Sequence, residues 1–181
     1  MMAVQENLTR YALIAGAFAL LAAPAVAQAP VPDSPPVDKA ALESCLTVQQ
    51  AQDTPDWDSC IGVASKSCLD QFGGSTAGMS GCLMAELDLW DGKLNAAYDS
   101  LMVQAKADDA EMASLGASAP QQEPALRQMQ RDWIGFRDAA CAYEQSRWGG
   151  GTGGGPASAS CAMTLTAEQY FRLQSWLDQP R

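Results

Sequence analysis

MSGCLMAELDLWDGKLNAAYDSLM at residues 79–102 and LRQMQRDWIGFRDAAC at residues 126–141 decide the fold. In the first stretch Met79, Leu83, Leu87, Trp90, Leu94, Tyr98, Leu101 and, just beyond it, Ala105 recur every three or four residues. That spacing lines one face of a helix. Glu86, Asp88, Asp91, Lys93 and Asp99 are expected mostly off that stripe. The helix should fade near Ala107, because Asp108, Asp109 and Glu111 oppose the dipole at a helix C-terminus and Gly116 follows. In the second stretch Leu126, Met129, Trp133, Phe136, Ala140 and Tyr143 keep the same rhythm, an a/d-like stripe suited to lie against the first helix at a shallow angle. Trp90, Tyr98, Trp133 and Phe136 are therefore expected in the core.

Working outward, residues 39–50 and 56–71 read as two short helices joined by the Asp-Thr-Pro break at 53–55, with a turn at Phe72-Gly73-Gly74-Ser75. Residues 118–124 form a loop, and Pro124 suits the first turn of the helix that follows. The run GGGTGGGP at 149–156 should end helical order. Thr166-Ala167-Glu168-Gln169 fits a capping box opening a last helix, with Tyr170, Leu173, Trp176 and Leu177 inward and Pro180 as its stop. No segment alternates with period two. The expected fold is all-α: a small disulfide-stapled helical bundle with two long antiparallel helices, an N-terminal helical hairpin and a C-terminal helix.

The first 27 residues have the layout of a secretory signal. Arg10 is the positive flank, an apolar run covers 11–24, and Ala25-Val26-Ala27 precedes Gln28 as an A-x-A cleavage site. The apolar run stops at Pro24, short of the roughly 20 residues that a span requires. The first cysteine is Cys45, so no lipidation site adjoins the expected cleavage point. Residues 28–38 are a Pro-rich leader, expected to be extended and mobile. The division is then 1–27 signal peptide, 28–38 leader, 39–75 helical extension and 76–181 main helical domain, in a protein expected to be periplasmic or secreted and without stable membrane insertion once cleaved.

The chain carries 11 basic against 21 acidic residues, a net charge of −10. Such a surface repels nucleic acid and anionic lipid and favours basic partners. Six cysteines, an even number in an exported chain, favour disulfides. There is no histidine and no C-x-x-C pair, which disfavours zinc, haem attachment and dithiol redox chemistry, and no cofactor is expected. Six cysteines allow fifteen connectivities. The pairings expected are Cys141–Cys161 bracketing the glycine run, Cys68–Cys82 across Gly73-Gly74, and Cys45–Cys60 across Thr54-Pro55. Closing the longest of these loops stabilises the fold by about 3 kcal/mol in the chain-entropy account.

The ordered set Met79, Cys82, Glu86, Trp90-Asp91, Leu94-Asn95 and Tyr98, then Leu126-Arg127, Gln130-Arg131, Trp133, Arg137-Asp138 and Cys141, resembles the lysozyme-inhibitor LprI-type domain. A glycine-rich stretch, Cys161 and Thr164-Leu165-Thr166 complete the likeness, which covers roughly residues 68–177. Two features depart from it: the lack of a lipidation cysteine, and the extra pair Cys45 and Cys60. The resemblance implies an exported helical domain and, in part of the family, inhibition of lysozyme by binding, with a basic lysozyme as partner and no enzymatic activity. The alternative is a non-catalytic envelope module, structural or stress-related, that binds another protein.

Asp91, Asn95, Arg137 and Asp138 are the polar residues inside the matching motifs. They either meet a partner or hold the two long helices together, with Arg137 bridging Asp91 or Asp138 and Asn95 taking a backbone group; the second use is the commoner for such residues. Glu86 or Asp88 with Asp91 could form a glycosidase-like carboxylate pair, but an acidic chain makes such pairs by chance. The loop at 147–160, opened by Arg147 and Trp148, is the candidate inserting element, since Arg and Trp are common interface anchors. Its bland reading is a flexible connector.

Overall fold

The computed structural model describes Pro32 and residues 35–179. The expected signal peptide, most of the first part of the leader and Pro180, the expected stop of the last helix, lie outside these residues. Five α-helices follow one another: α1 Lys39–Gln50, α2 Lys66–Phe72, α3 Thr76–Ser114, α4 Gln122–Ser146 and α5 Gly154–Leu177, with a 3-10 turn at Trp57–Cys60 between α1 and α2. No strand occurs among the described residues, so the fold is the expected all-α bundle. Its central element is α5, which packs chiefly along α3 and less on α4, while α3 and α4 meet each other least. The two long helices thus form a hairpin whose gap the last helix fills.

The deepest line of α3 runs Cys82, Glu86, Trp90, Leu94, Ala97, Leu101 and Ala105. Leu83, Leu87 and Tyr98 flank it and are half-buried. Glu86, expected off the stripe, is fully buried at its centre. Its Oε1 accepts from the Gly62 backbone N–H at 2.7 Å and from Trp90 Nε1 at 3.0 Å, and its Oε2 accepts from the Ser65 N–H at 2.7 Å. A buried carboxylate is tolerated only where donors of this kind replace water. Those donors explain why residues 56–71 are not one helix. The chain makes a single 3-10 turn, passes through extended Ile61 and reaches Gly62 at φ +93°. That conformation turns the amides of Gly62 and Ser65 toward α3 and suits glycine alone.

Around this strut, Leu42, Cys60, Ala64, Trp90, Met163 and Ala167 form one core cluster, and Leu94, Ala97, Leu101 and Leu173 form a second along α3 and α5. The N-terminal segment belongs to the first cluster. Its leader is docked at the end: Pro35 is buried, Val37 packs on the cluster, and Asp38 donates its N–H to Ala64 O and caps α1 through Ala41 N. Lys93 on α3 pairs with Glu43 on α1 at 2.6 Å, and Trp57 stacks on Phe171 of α5 with centroids 5.6 Å apart. Tyr170 lies in the same aromatic group, and burial, with Glu43 and Asp178 adding to it, pushes its phenol above the ordinary value. Disulfides Cys45–Cys60, Cys68–Cys82 and Cys141–Cys161 tie α1 to the 3-10 turn, α2 to α3, and α4 to α5.

Two boundaries differ from expectation. Helix α3 does not fade at Ala107 but runs on to Ser114, ending in a Schellman motif. Gly116 at φ +65° donates to Ala113 O, and Ala117 donates to Met112 O. The carboxylate of Asp109 is not a liability there, because it accepts from the N–H groups of Gln122 and Glu123 at 2.7 and 2.9 Å and so caps the start of α4. Helix α5 starts at Gly154 and not at a Thr166 capping box; Gly154, Gly155 and Pro156 form its first turn, where a proline costs no hydrogen bond. Thr166 is buried in mid-helix with its hydroxyl unpartnered.

Asp109→Ala removes both caps from α4, and a loss of about 1 kcal/mol in urea unfolding is expected. Replacing Cys45 and Cys60 together by serine frees a segment that closes a loop of 15 residues. Its expected cost is about 3 kcal/mol, read in the same experiment.

Candidate partner-binding surface

The six polar and aromatic residues singled out from the sequence fall into separate groups. On α3, Asn95 Nδ2 donates to Asp91 Oδ2 at 2.9 Å, one turn apart. On α4, Arg137 donates to Asp138 Oδ1 through Nε and Nη2 at 3.0 and 2.9 Å, while its guanidinium lies 5.1 Å from the centre of the Trp133 ring. Arg147 donates to both oxygens of Glu144 at 3.1 Å. Among the described residues no hydrogen bond or ion pair joins Asp91 or Asn95 to Arg137 or Asp138, and Asn95 bonds a side chain, not a backbone group. Each pair is a local one on a helix surface, of the kind that adds only a few tenths of a kcal/mol.

Arg147 and Trp148 do come together with other groups. Phe136, expected in the core, is 60% exposed, and Tyr143 and Trp148 are 66% and 54% exposed. Phe136, Ala140 and Tyr143 follow one another along α4 and, with Trp148 just past its end, form one wall of a groove of about 790 Å³. Ala157, Ser160, Thr164 and Leu165 of α5 form the other wall, and Cys161 lies on its floor. The Cys141–Cys161 bridge therefore fixes the two walls to each other. A groove held this way needs little ordering on binding.

The loop behind it is shorter than the expected 147–160 insert. Residues 154–160 are the first turns of α5, leaving only 147–153 as connector. Gly149 and Gly150 take φ of +56° and +85° there, and the Trp148 ring lies so close over Gly153 that an added Cβ would come within 2.2 Å of it. The glycines are used for a tight reversal and for seating the indole, not for reach.

Sequence periodicity missed Phe136 and Tyr143 as surface residues because it placed them on the inward stripe. The signal that could have exposed them is the composition of the facing segment. GGPASAS at 154–160 is built of side chains too small to cover a row of aromatic rings. Trp90, by contrast, is fully buried, and Trp133 and Tyr98 are half-buried beside Leu173 and Leu177.

The chemistry open to the remaining groups is narrow. Glu86 is enclosed by its three donors, which removes it from any glycosidase pair. All six cysteines are in disulfides. Among the described residues no cluster of three or more potential ligands could hold a metal ion, and no helix is long and apolar enough to cross a membrane.

Fold and surface together define a class: a disulfide-braced all-helical domain that presents a rigid aromatic groove. The sequence model of the family described as lysozyme inhibitor LprI matches residues 68–173, and the chain belongs to that family. The match begins at Cys68, so it takes in most of α2, all of α3 and α4 and most of α5, and leaves α1 outside. No curated protein and no solved structure matches the chain significantly.

If the aromatic row serves a partner and not the fold, its loss should leave the fold intact. Phe136→Ser with Tyr143→Ser is expected to change unfolding free energy by less than about 1 kcal/mol in total, as exposed positions do. Thermal melts followed by circular dichroism check this.

Proposed function

We propose that this chain is an exported inhibitor that binds a basic lysozyme and blocks it by occlusion, without chemistry of its own. Membership of the lysozyme-inhibitor family carries this reading. Three observations support it. The net charge of −10 draws a basic enzyme from a distance and repels nucleic acid. The groove beside Phe136, Tyr143 and Trp148 offers the aromatic anchors on which protein interfaces concentrate their binding energy. Arg147, a lining residue of that groove whose guanidinium pairs with Glu144, is the cation that would exchange this partner for an acidic group such as the carboxylates on which a muramidase depends. The three disulfides fit an oxidising compartment, and the signal-like N-terminus fits delivery to the periplasm or beyond.

The test is a lysis assay with purified protein spanning residues 28–181 and bacterial cell walls. Stoichiometric protein is expected to slow lysis by a basic lysozyme, and raising the salt from low to about 0.5 M should weaken the effect, because the attraction is screened. The Phe136→Ser, Tyr143→Ser, Trp148→Ser variant should need about tenfold more protein for the same inhibition. Unchanged lysis at low salt with excess protein rejects the inhibitor reading for that enzyme; full potency in the triple variant moves the contact elsewhere.

A further inference from the structure

One flank of α4 is balanced in charge and open in packing. From Gln122 to Arg147 four arginines stand against four carboxylates, so the whole net charge of −10 lies elsewhere in the chain. Repulsion between two copies is therefore weakest at this helix. Along the flank that borders the aromatic groove, Asp132, Phe136, Ala139 and Ala140, Tyr143 and Arg147 recur at helical spacing. Arg147 closes α4 with helical backbone angles and so continues the row. Every residue lining the groove lies within the described part of the chain.

The row is complementary to itself. Its midpoint falls between Ala139 and Ala140, and turning it end for end about that point sets Phe136 opposite Tyr143 and Asp132 opposite Arg147. A two-fold contact requires this property, because each residue meets its mate twice. By helix rise the two aromatic contacts lie about 10 Å apart and the two ionic ones about 22 Å. The alanines at the crossing allow two helices to approach within the usual ~8–10 Å.

The charged mates are open to each other. The Asp132 carboxylate accepts from the neutral Gln128 amide at 2.7 Å, and among the described residues it has no ion pair. Arg147 holds Glu144 through Nη1 alone, which leaves its Nε and Nη2 without an acceptor among the described residues. Phe136, Tyr143 and Trp148 are each more than half exposed. Together they present roughly 300–400 Å² per copy, close to half of the ~800 Å² that each partner gives to a standard interface. Ala157, Ser160 and Thr164 on the facing wall leave room for rings from a second copy.

We propose that two copies of this chain associate through this face as a two-fold dimer, α4 lying antiparallel on α4 with the axis between Ala139 and Ala140. Phe136 of each copy packs on Tyr143 of the other, Asp132 pairs with Arg147, and the rings cover the small side chains of α5 that their own chain leaves bare. The dimer uses the groove assigned above to a muramidase, so the two partners exclude each other and self-association sets how much groove is free. The dimer does not rest on the inhibitor reading. Its test contains no enzyme, and failure of the lysis assay leaves it standing.

Sedimentation velocity of residues 28–181 from about 1 to about 300 µM reads the association directly. Asp132→Arg sets arginine against arginine at both ionic contacts, and Arg147→Asp sets carboxylate against carboxylate. Both positions are exposed, and melting temperatures confirm that the variants fold. Mixed in equal amounts, the two variants restore both contacts in a heterodimer, since each supplies the charge the other has lost. Asp132→Arg also makes the chain less acidic, which favours any diffuse association, so a weaker dimer in that variant identifies the contact.

The parent chain is expected to dimerise with a dissociation constant of about 10–100 µM. Each single variant should weaken the dimer about tenfold or more, and the equal mixture should return to within about threefold of the parent. A parent chain that stays monomeric over the whole range would overturn the proposal. So would a single variant that dimerises as the parent does, or a mixture that associates no better than its components.

Discussion

A single buried carboxylate organises the N-terminal half of this domain. Glu86 lies in the middle of the apolar face of α3, and its two oxygens take N–H groups from Gly62, Ser65 and Trp90. Backbone donors turned away from a helix must find acceptors, and a carboxylate offers two oxygens in one plane. The irregular chain from Ile61 to Ser65 is thereby held in one conformation. Through it the Cys45–Cys60 unit is set against Trp90, and α2 is aimed so that Cys68 reaches Cys82. The same side chain also orients the Trp90 indole, which meets Tyr170 and Phe171 of α5 with centroids 5.9 and 5.3 Å away. Glu86 and Trp90 both stand in the ordered set that resembles the family, so the pattern carries this internal strut as well as a surface.

The other half of the domain is organised by α5. The hairpin of α3 and α4 has little direct contact of its own, and the last helix fills it until Leu177. Near the start of α5 the side chains are too small to cover α4, and the Cys141–Cys161 bridge supplies the connection that packing does not. Past Leu177 no described helix lies between α3 and α4, where a second groove lies. Both grooves thus arise from one cause, a filling helix that is small at one end and short at the other. They differ in lining, the first being largely aromatic and the second largely aliphatic.

Much of this architecture was legible in the sequence, and the misreadings have physical reasons. Helix α1 has the predicted bounds, and α3 and α4 were fixed by their periodicity. What periodicity could not show was which partner each stripe would meet. Phe136 and Tyr143 keep step with Trp133, yet they face a glycine- and serine-rich segment and remain in solvent. Local rules for helix ends also misled. Asp109 opposes its own helix dipole but caps the next helix, and Thr166 with Gln169 has the spacing of a capping box but sits inside α5, where Gln169 bonds to Gln130 at 3.1 Å. Glu86 looked like a surface acid because charge is normally excluded from a core; only the three-dimensional meeting with Gly62 and Ser65 makes it an internal one. The cysteine count pointed to disulfides, while spacing alone left the pairing open.

For binding, the consequence is a rigid body with preformed surfaces, whose N-terminal part is held by Glu86 and whose groove walls are held by a disulfide. Amide hydrogen exchange at Gly62 and Ser65, followed by NMR in the parent chain and in Glu86→Leu with all three disulfides intact, reads that strut at its own donors. Exchange at both amides should accelerate by on the order of tenfold or more in the variant while protection along α4 is kept. Unchanged protection at Gly62 and Ser65 would contradict the organising role of the Glu86 carboxylate.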